Sequence, residues 1–296
     1  MDIDFNTKCY TIEKKTYQRG IFDDSVDATY IIHLKNNGRY HHIREQLQQF
    51  QPTKKVYIML NEGFKNCKKK LIEQVSYQDL TDAFLQCFKH ADERGYNNIL
   101  ILEDDFIFSP EITKNKLYIH DVNRFLLEQP KNEPFIYYLG CNPILIHPTS
   151  IEMRHYKSYK SCSTHAIIYS KAARSVEINL NLKHWDTIIE AGIPNRYLYC
   201  NPLCYQTYPD TENKKTWSEK DNILIGYLKN QIINVLNLDK QPEPGFTILY
   251  WVAKVLNFFI LLVILAAICA IIYFIVGALA PIAYNKGAGK NRRVRL

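Results

Sequence analysis

Apolar and polar positions along the first 240 residues follow a pattern that predicts buried strands separated by amphipathic helices. Continuous apolar runs are typical of strands buried on both faces, and apolar residues at helical spacing lie between these runs. The predicted strands are 28–34, 54–60, a strand from Asn98 to the acidic residues after it, 135–139 and 165–169, and the predicted helices are 40–50, 79–94, 171–179 and 217–237. This order indicates an α/β domain with a mostly parallel central sheet. Residues 1–27 are poorly patterned and predict an extension that packs on the sheet or is partly disordered.

Three consecutive carboxylates, Glu103, Asp104 and Asp105, end the most apolar of these runs. The carboxyl end of a parallel strand is where such sheets bind their ligands. Adjacent acids repel one another, and a divalent cation would offset their charge. The triplet therefore predicts a metal site, and the alternative is a solvated acidic turn.

A second long apolar run, 255–283, contains no charged side chain. It exceeds the roughly 20 residues that a helix needs to cross a ~30 Å hydrocarbon core. The sequence therefore predicts one transmembrane helix, reached by a linker at 241–254 and followed by a tail at 284–296. A buried core helix is the alternative.

Basic residues concentrate in that tail, which has five cations and no acid, while the whole chain has a net charge of +7. The part before the span is therefore nearly neutral, and its charge calls for no nucleic-acid partner. The tail is expected to contact anionic lipid head groups, with polyanion binding as the alternative. Another basic run, 65–70, is expected in an exposed loop.

The membrane topology is ambiguous. The positive-inside rule places the basic tail in the cytoplasm and residues 1–254 across the membrane. Against this, the first residues lack the features of a signal peptide, and the seven cysteines outside the span show no small-scaffold spacing, which favours a reducing compartment. No Asn-x-Ser/Thr sequon is present. We therefore expect a C-terminal anchor with the globular part in the cytosol, and a lumenal location stays open.

Several separate segments together resemble the family 25 glycosyltransferases, which include lipooligosaccharide and procollagen galactosyltransferases. The similar segments are Tyr30–Arg39 with Arg44, Tyr96–Asp105, Thr164–Ala166 with Ser170–Ala173, His184–Asp186 and Tyr199–Gln206. The resemblance implies that residues 28–240 adopt a GT-A fold. It also implies inverting transfer of a hexose, galactose or glucose, from a nucleotide sugar such as a UDP-hexose to a hydroxyl group on a protein or glycan.

The chemistry of such a transfer assigns roles to the acid triplet. A departing nucleoside diphosphate gains negative charge on its phosphate oxygens, and a hard cation such as Mn²⁺ or Mg²⁺ stabilises that charge. Side chains alternate along an extended chain, so Glu103 and Asp105 would face the same side as metal ligands. Asp104 would then point towards the nucleoside ribose or a backbone donor.

Inverting transfer also requires a base for the acceptor hydroxyl, and Asp186 is the candidate. Its neighbour Trp185 could stack on a sugar ring. The same residues also fit the start of a helix that has a core tryptophan, so both interpretations stay open.

Four further residues are candidates for ligand contacts. Arg39 and Arg44 could bind the diphosphate, because guanidinium groups bind phosphate through two hydrogen bonds, or they could lie on a solvated helix face. His165 and His184 could be a third metal ligand or contact the donor, or they could be structural.

Three functions remain in view. The leading one is a membrane-anchored, metal-dependent glycosyltransferase. The second is a GT-A-like nucleotide-sugar-binding or scaffold protein without turnover, because Ser76–Leu80 stands where the family has a Gly…Ser-His element. The third is a phosphoryl-transfer enzyme or nuclease, for which the sequence has neither a P-loop nor a second acidic cluster.

Overall fold

The computed structural model describes residues 2–6, 8–177, 184–208 and 230–288. The chain divides into two compact units, Met1–Trp251 and Val252–Leu296. The first unit contains all the strands and most of the helices. Its strands are β1 (Asp2–Asn6), β2 (Tyr10–Thr16), β3 (Ala28–Leu34), β4 (Lys55–Asn61), β5 (Asn98–Glu103), β6 (Phe106–Phe108), β7 (Phe135–Pro148), β8 (His155–Ser170), β9 (Asn195–Tyr199) and β10 (Cys204–Gln206).

The helices lie between these strands and at the C-terminal end. They are α1 (Tyr40–Gln49), α2 (Ser76–Glu93), α3 (Glu111–Lys114), α4 (Lys116–Glu128), α5 (Lys171–Arg174), α6 (Trp185–Gly192) and α7 (Gly245–Ala288). The amphipathic helix α2 ends before Gly95, whose φ of 68° is a conformation that glycine adopts without strain. The pattern of apolar residues had predicted this helix and its end.

The main sheet has eight strands in the order β1-β2-β4-β3-β5-β8-β7-β9, and β6 pairs with β10 in a small second sheet. Strands β4, β3 and β5 run parallel at the centre. Strand β2 is antiparallel to β4, and β8 is antiparallel to β5. The prediction of a parallel sheet holds for the central strands, whereas the flanking strands make the sheet mixed. Apolar content does not reveal strand direction, because a strand buried on both faces has the same pattern in either arrangement.

The predicted strands all occur, and two of them are longer than predicted. Strands β7 and β8 have 14 and 16 residues and form a long antiparallel hairpin. Their outer halves contain lysine, serine and proline residues, so the apolar pattern predicts only the inner halves. Helix α5 is shorter than the predicted helix at 171–179, whose last two residues lie outside the described part. Of the predicted helix at 217–237, residues 230–235 are helical, and 217–229 lie outside the described residues.

The N-terminal extension belongs to the sheet. Strand β2 pairs with β4 along its whole length, and Cys9 forms a disulfide with Cys67. This disulfide conflicts with our expectation that the globular part lies in a reducing compartment. The basic run at 65–70 is also not simply an exposed loop, because Cys67 and Lys69 are buried.

Helix α7 begins at Gly245, so the predicted linker at 241–254 is largely helical. Within it, Gly245–Ile275 is long and apolar enough to span a membrane, with a mean hydropathy of 3.2 in its most apolar window. Its first turns belong to the globular unit, where Phe246 and Tyr250 are buried. Phe246 lies near the rings of Tyr205 and Tyr208.

Candidate functional site

Polar side chains from the three parallel strands meet at one edge of the sheet. Strands β4, β3 and β5 run in the same direction, so their carboxyl ends lie together. His33 lies near the end of β3, Asn61 ends β4, and Glu103 ends β5. This edge is where ligand sites form in α/β sheets, and it contains the acid triplet.

Asp104 is the most extensively partnered acid of the triplet. Its Oδ2 lies 2.8 Å from His33 Nδ1 and accepts a hydrogen bond from Asn37 Nδ2 at 2.7 Å. Its Oδ1 lies 3.1 Å from Arg39 Nε, in an orientation that makes an ion pair and not a hydrogen bond. Asp104 therefore binds the end of β3 and the turn before α1 through side chains, and its predicted contact with the nucleoside ribose stays a prediction.

Glu103 and Asp105 contact two other elements. Thr164 of β8 donates a hydrogen bond to Glu103 Oε1 at 2.6 Å. Gln206 Nε2, at the end of β10, donates to Asp105 Oδ2 at 2.9 Å, and Thr207 N donates to the Asp105 carbonyl at 3.1 Å. Each carboxyl group is thus held by a different neighbour, which fixes the triplet in place.

Burial raises the pKa of Glu103, and the negative charges of Asp105, Asp104 and Asp186 raise it further against the opposing Thr164 hydrogen bond. Burial and the charge of Asp104 likewise raise the pKa of Asp105, against opposing effects of Gln206 and Arg39. The negative charge at this edge is therefore incompletely compensated. A bound cation would favour the ionised form of both acids.

The triplet meets part of what a divalent cation requires. Asp105 Oδ1 is buried and has no hydrogen-bond partner, so one carboxylate oxygen is available to a ligand. Within the described residues, no three His, Cys, Asp or Glu side chains are grouped as a complete metal site. The assignment of Glu103 and Asp105 as ligands stays a prediction, and the available oxygen of Asp105 is consistent with it.

Asp186 lies in the first turn of α6, where it is half-buried and accepts a hydrogen bond from Thr187 N at 3.2 Å. Its charge acts on Glu103, which places it within electrostatic reach of the triplet. Trp185 is instead a core residue. Its ring stacks on Phe84 with centroids 4.6 Å apart, and its Nε1 donates to Tyr169 OH at 2.9 Å. The possibility that Trp185 stacks on a sugar is therefore wrong.

The structure brings only one of the two candidate arginines to the triplet. Arg39 pairs with Asp104, whereas Arg44 is exposed on α1, where its charge acts on Tyr40. His165 is fully buried under Gly140 and its Nε2 donates to the Cys204 carbonyl at 3.3 Å. Burial lowers its pKa to about 4, so it is a neutral core residue and not an open donor-binding group. His184 is partly buried and its ring lies 5.7 Å from that of Tyr77.

Sequence reasoning missed His33, Asn37, Thr164 and Gln206 as contacts of the triplet, although all four lie within the segments that carry the family resemblance. His33 and Asn37 had a detectable signal, because His33 lies near the end of the predicted strand 28–34, Asn37 follows it, and the ends of parallel strands converge. Thr164 and Gln206 had none in the local pattern. Their contacts depend on β8 and β10, whose pairing partners the sequence does not specify.

A second polar cluster lies at the end of β4, around the buried Lys69. Its Nζ donates to Tyr10 OH and to Asn61 Oδ1, both at 2.6 Å, and pairs with Asp79. The ammonium also lies 4.0 Å from the centroid of the Tyr10 ring. The Cys9–Cys67 disulfide and the Lys69–Tyr10 hydrogen bond attach this loop to the N-terminal strands, and the Lys69–Asp79 ion pair attaches it to α2.

A separate groove of about 860 Å³ is lined by residues 19–24 and by helices α3 and α4. No predicted site residue lines it. Its rim has both basic and acidic side chains, including Arg19, Lys116 and Glu128.

Comparisons with known proteins leave the family of the chain unassigned. No family model matches this sequence, and a search of curated proteins finds no significant match. The fold is therefore described by its own topology, as a mixed α/β sheet with an acid triplet at the carboxyl edge of its parallel strands.

Proposed function

We propose that this protein is a metal-dependent glycosyltransferase of the GT-A type that transfers a hexose from a nucleotide sugar to a hydroxyl acceptor on a protein or glycan. The main supporting observation is the acid triplet at the carboxyl end of β5, in which Asp104 and Asp105 are buried, Glu103 is half-buried and each carboxyl group is held by a different element. Such rigid positioning suits a site that must stabilise charge as it develops.

Glu103 and Asp105 would hold Mn²⁺ or Mg²⁺, which when bound offsets the charge that develops on the leaving diphosphate. Arg39 extends from the adjacent turn with its side chain 22% exposed, so it can contact an anionic ligand while it pairs with Asp104. Arg39 would therefore orient a phosphate of the donor. Asp104 holds this turn in place through His33 and Asn37.

Asp186 would take the proton from the acceptor hydroxyl. Two observations support this role: its carboxyl group is partly exposed, and its charge acts on Glu103 and on Lys160. A general base must be reachable by the acceptor and lie near the reacting centre. Asp186 is the candidate because it has both features and is not part of the triplet.

Helix α7 would anchor the protein in the bilayer, and the basic residues after its apolar span would contact anionic lipids. The transfer would then take place close to a membrane surface. The anchor would thus determine where the reaction occurs. The proposed function requires no nucleic-acid partner.

The test is turnover by the full chain in detergent micelles with UDP-, GDP- and CMP-sugars and Mn²⁺. We expect release of one nucleotide, its loss with EDTA, and a fall of about 100-fold or more for Asp105→Asn. Glu111→Gln is the matched control, because Glu111 is an exposed acid on α3. Donor-selective binding without turnover would instead support a nucleotide-sugar-binding protein, and cleavage of phosphodiesters would support the nuclease alternative.

A further inference from the structure

One acid of the triplet, Asp105, and its neighbour Gln206 each have a buried oxygen that accepts no hydrogen bond. Gln206 and Asp105 are joined by the hydrogen bond from Gln206 Nε2 to Asp105 Oδ2. The remaining oxygens, Gln206 Oε1 and Asp105 Oδ1, are buried and have no hydrogen-bond partner. Buried acceptors are normally satisfied, so two unsatisfied oxygens on a bonded pair call for an explanation.

The assignment of the Gln206 amide is determined by chemistry. The ionised Asp105 carboxylate only accepts hydrogen bonds, so the Gln206 group that faces it must be the NH₂. The free group is therefore the amide oxygen. Gln206 pairs with Phe106 across the β10–β6 ladder, and Phe106 directly follows Asp105. The two free oxygens are thus held by a short, rigid pairing.

Charge decides which ligand these oxygens suit. Glu103, Asp104 and Asp105 are three consecutive carboxylates, and Arg39 lies beside them as the partner of Asp104. A neutral hydroxyl donor would satisfy the oxygens but leave this charge unchanged. A carboxylate and an amide carbonyl are the hard oxygen ligands that bind Mg²⁺, Mn²⁺ or Ca²⁺.

We infer that Gln206 is a metal-binding residue, and that its Oε1 and Asp105 Oδ1 bind the same divalent cation. The inference rests on the proposed function for the presence of a cation, and adds a ligand that the sequence did not predict. Thr164 already donates to Glu103, whereas Gln206 Oε1 is fully available. The oxygen ligands of the cation would therefore come from β10, through Gln206, as well as from the triplet.

The first experiment measures Mn²⁺ binding to the full chain in detergent micelles by electron paramagnetic resonance, without any nucleotide sugar. We expect Gln206→Ala to weaken Mn²⁺ binding by about tenfold or more, and Gln206→Glu, which retains an oxygen, to preserve it. Gln129→Ala is the matched control, because Gln129 also donates one hydrogen bond and lies after α4. This control should bind Mn²⁺ like the wild type.

The second experiment separates a ligand from a residue that only positions Asp105. In Gln206→Cys, a thiol replaces the amide oxygen, and thiolates favour soft metals. We expect Cd²⁺ to displace Mn²⁺ from this variant at a concentration about tenfold or more lower than from the wild type. A positioning role would leave the Cd²⁺ to Mn²⁺ ratio unchanged, and that result would overturn the inference. Circular dichroism establishes that each variant is folded.

The outcomes also separate this inference from the proposed function. If the wild type binds Mn²⁺ and both Gln206→Ala and Gln206→Cys behave like it, Gln206 is not a ligand, while the proposed function stands. If the wild type binds no Mn²⁺, this inference and the metal dependence of the proposed function both fail.

Discussion

At the scale of single residues, the candidate site depends on how each acid is partnered. Asp104 is bound by His33, Asn37 and Arg39, whereas Asp105 retains a free oxygen. Strand alternation predicted that Asp104 would point away from Glu103 and Asp105, but β5 ends at Glu103, so Asp104 and Asp105 lie in the turn that follows the strand. The identity of its partners required the fold, because they lie 65 or more positions earlier in the chain.

The raised pKa of Glu103 and of Asp105 predicts a pH dependence of metal binding. A metal binds the ionised acids, so Mn²⁺ affinity should keep rising from about pH 5 to about pH 8, beyond the range near 4 in which ordinary carboxyl groups ionise. Without metal the sign is reversed. The folded state then binds more protons than the unfolded state, so the free energy of unfolding falls as the pH rises through this range.

Mn²⁺ titrations at several pH values measure the first effect, and thermal unfolding in EDTA measures the second. Asp105→Asn removes one of the two acids and should flatten the pH dependence of Mn²⁺ affinity. An affinity that does not change above about pH 5 would mean that these carboxyl groups titrate normally.

Lys69 provides a prediction about stability. Burial lowers its pKa, while Asp79 opposes that shift, and the two groups pair out of contact with water. We expect Lys69→Met to lower the free energy of unfolding by about 3 kcal/mol, because Asp79 is then buried without a counter-charge. The exposed Lys68 is the control, and Lys68→Met should change stability by less than about 0.5 kcal/mol.

Denaturant unfolding of the full chain in detergent micelles measures both variants. Adding Asp79→Asn to Lys69→Met should recover part of the loss, since it removes the uncompensated charge. Equal effects of Lys69→Met and Lys68→Met would show that the buried pair contributes nothing to stability.

At the scale of elements, the position of β10 determines the position of Gln206. Gly140 of β7 permits the close approach of β10, because a Cβ at this position would overlap the Cys204 carbonyl and lie 2.5 Å from His165 Nε2. Both neighbours are buried, so neither has space to move. A single glycine thus allows β7, β8 and β10 to meet beside the triplet.

We expect Gly140→Ala to destabilise the protein by about 1–3 kcal/mol through this overlap. It should also weaken Mn²⁺ binding, because displacement of β10 moves Gln206. Gly192→Ala is the control, since its Cβ would meet Val176 Cγ1 at 3.2 Å and the Glu177 carbonyl oxygen at the ordinary contact distance of 3.9 Å. Thermal unfolding and Mn²⁺ titration of both variants provide the measurement. If Gly140→Ala had the stability and Mn²⁺ affinity of the wild type, the close approach of β10 to Gly140 would be contradicted.

At the scale of the whole molecule, the disulfide bears on the membrane topology. Disulfides persist in oxidising compartments and are rare in the cytosol. The Cys9–Cys67 bond therefore favours a lumenal or extracellular globular unit. The five basic residues after the apolar run indicate the same orientation through the positive-inside rule. Our expectation of a cytosolic unit rested on the lack of signal-peptide features, on cysteine spacing and on the absence of a sequon, and spacing does not reveal a pair 58 residues apart.

Sequon insertion tests the orientation. Pro134→Thr completes an Asn-x-Thr sequon at Asn132, which is exposed between α4 and β7. Expressed with microsomes, this variant should gain one N-linked glycan, because glycosylation occurs only on the lumenal side. The wild type has no sequon and is the negative control, and a lumenal reference protein confirms activity of the membranes. An unmodified variant would place the globular unit in the cytosol.

The sequence by itself determined the order of the main elements, the apolar span and the acid triplet. These features are local, because burial on both faces of a strand and amphipathic helices leave patterns within a few residues. The sequence also placed the triplet at a strand end, where parallel strands present their ligands.

Only the tertiary structure decided strand direction in the flanking strands, the partners of each acid and the disulfide. It also decided that Trp185 and His165 are core residues and that Gln206 lies against Asp105. These facts depend on contacts between residues far apart in the chain. Such contacts arise when the sheet and its crossovers bring separate segments together, and a local pattern of residues contains no record of that pairing.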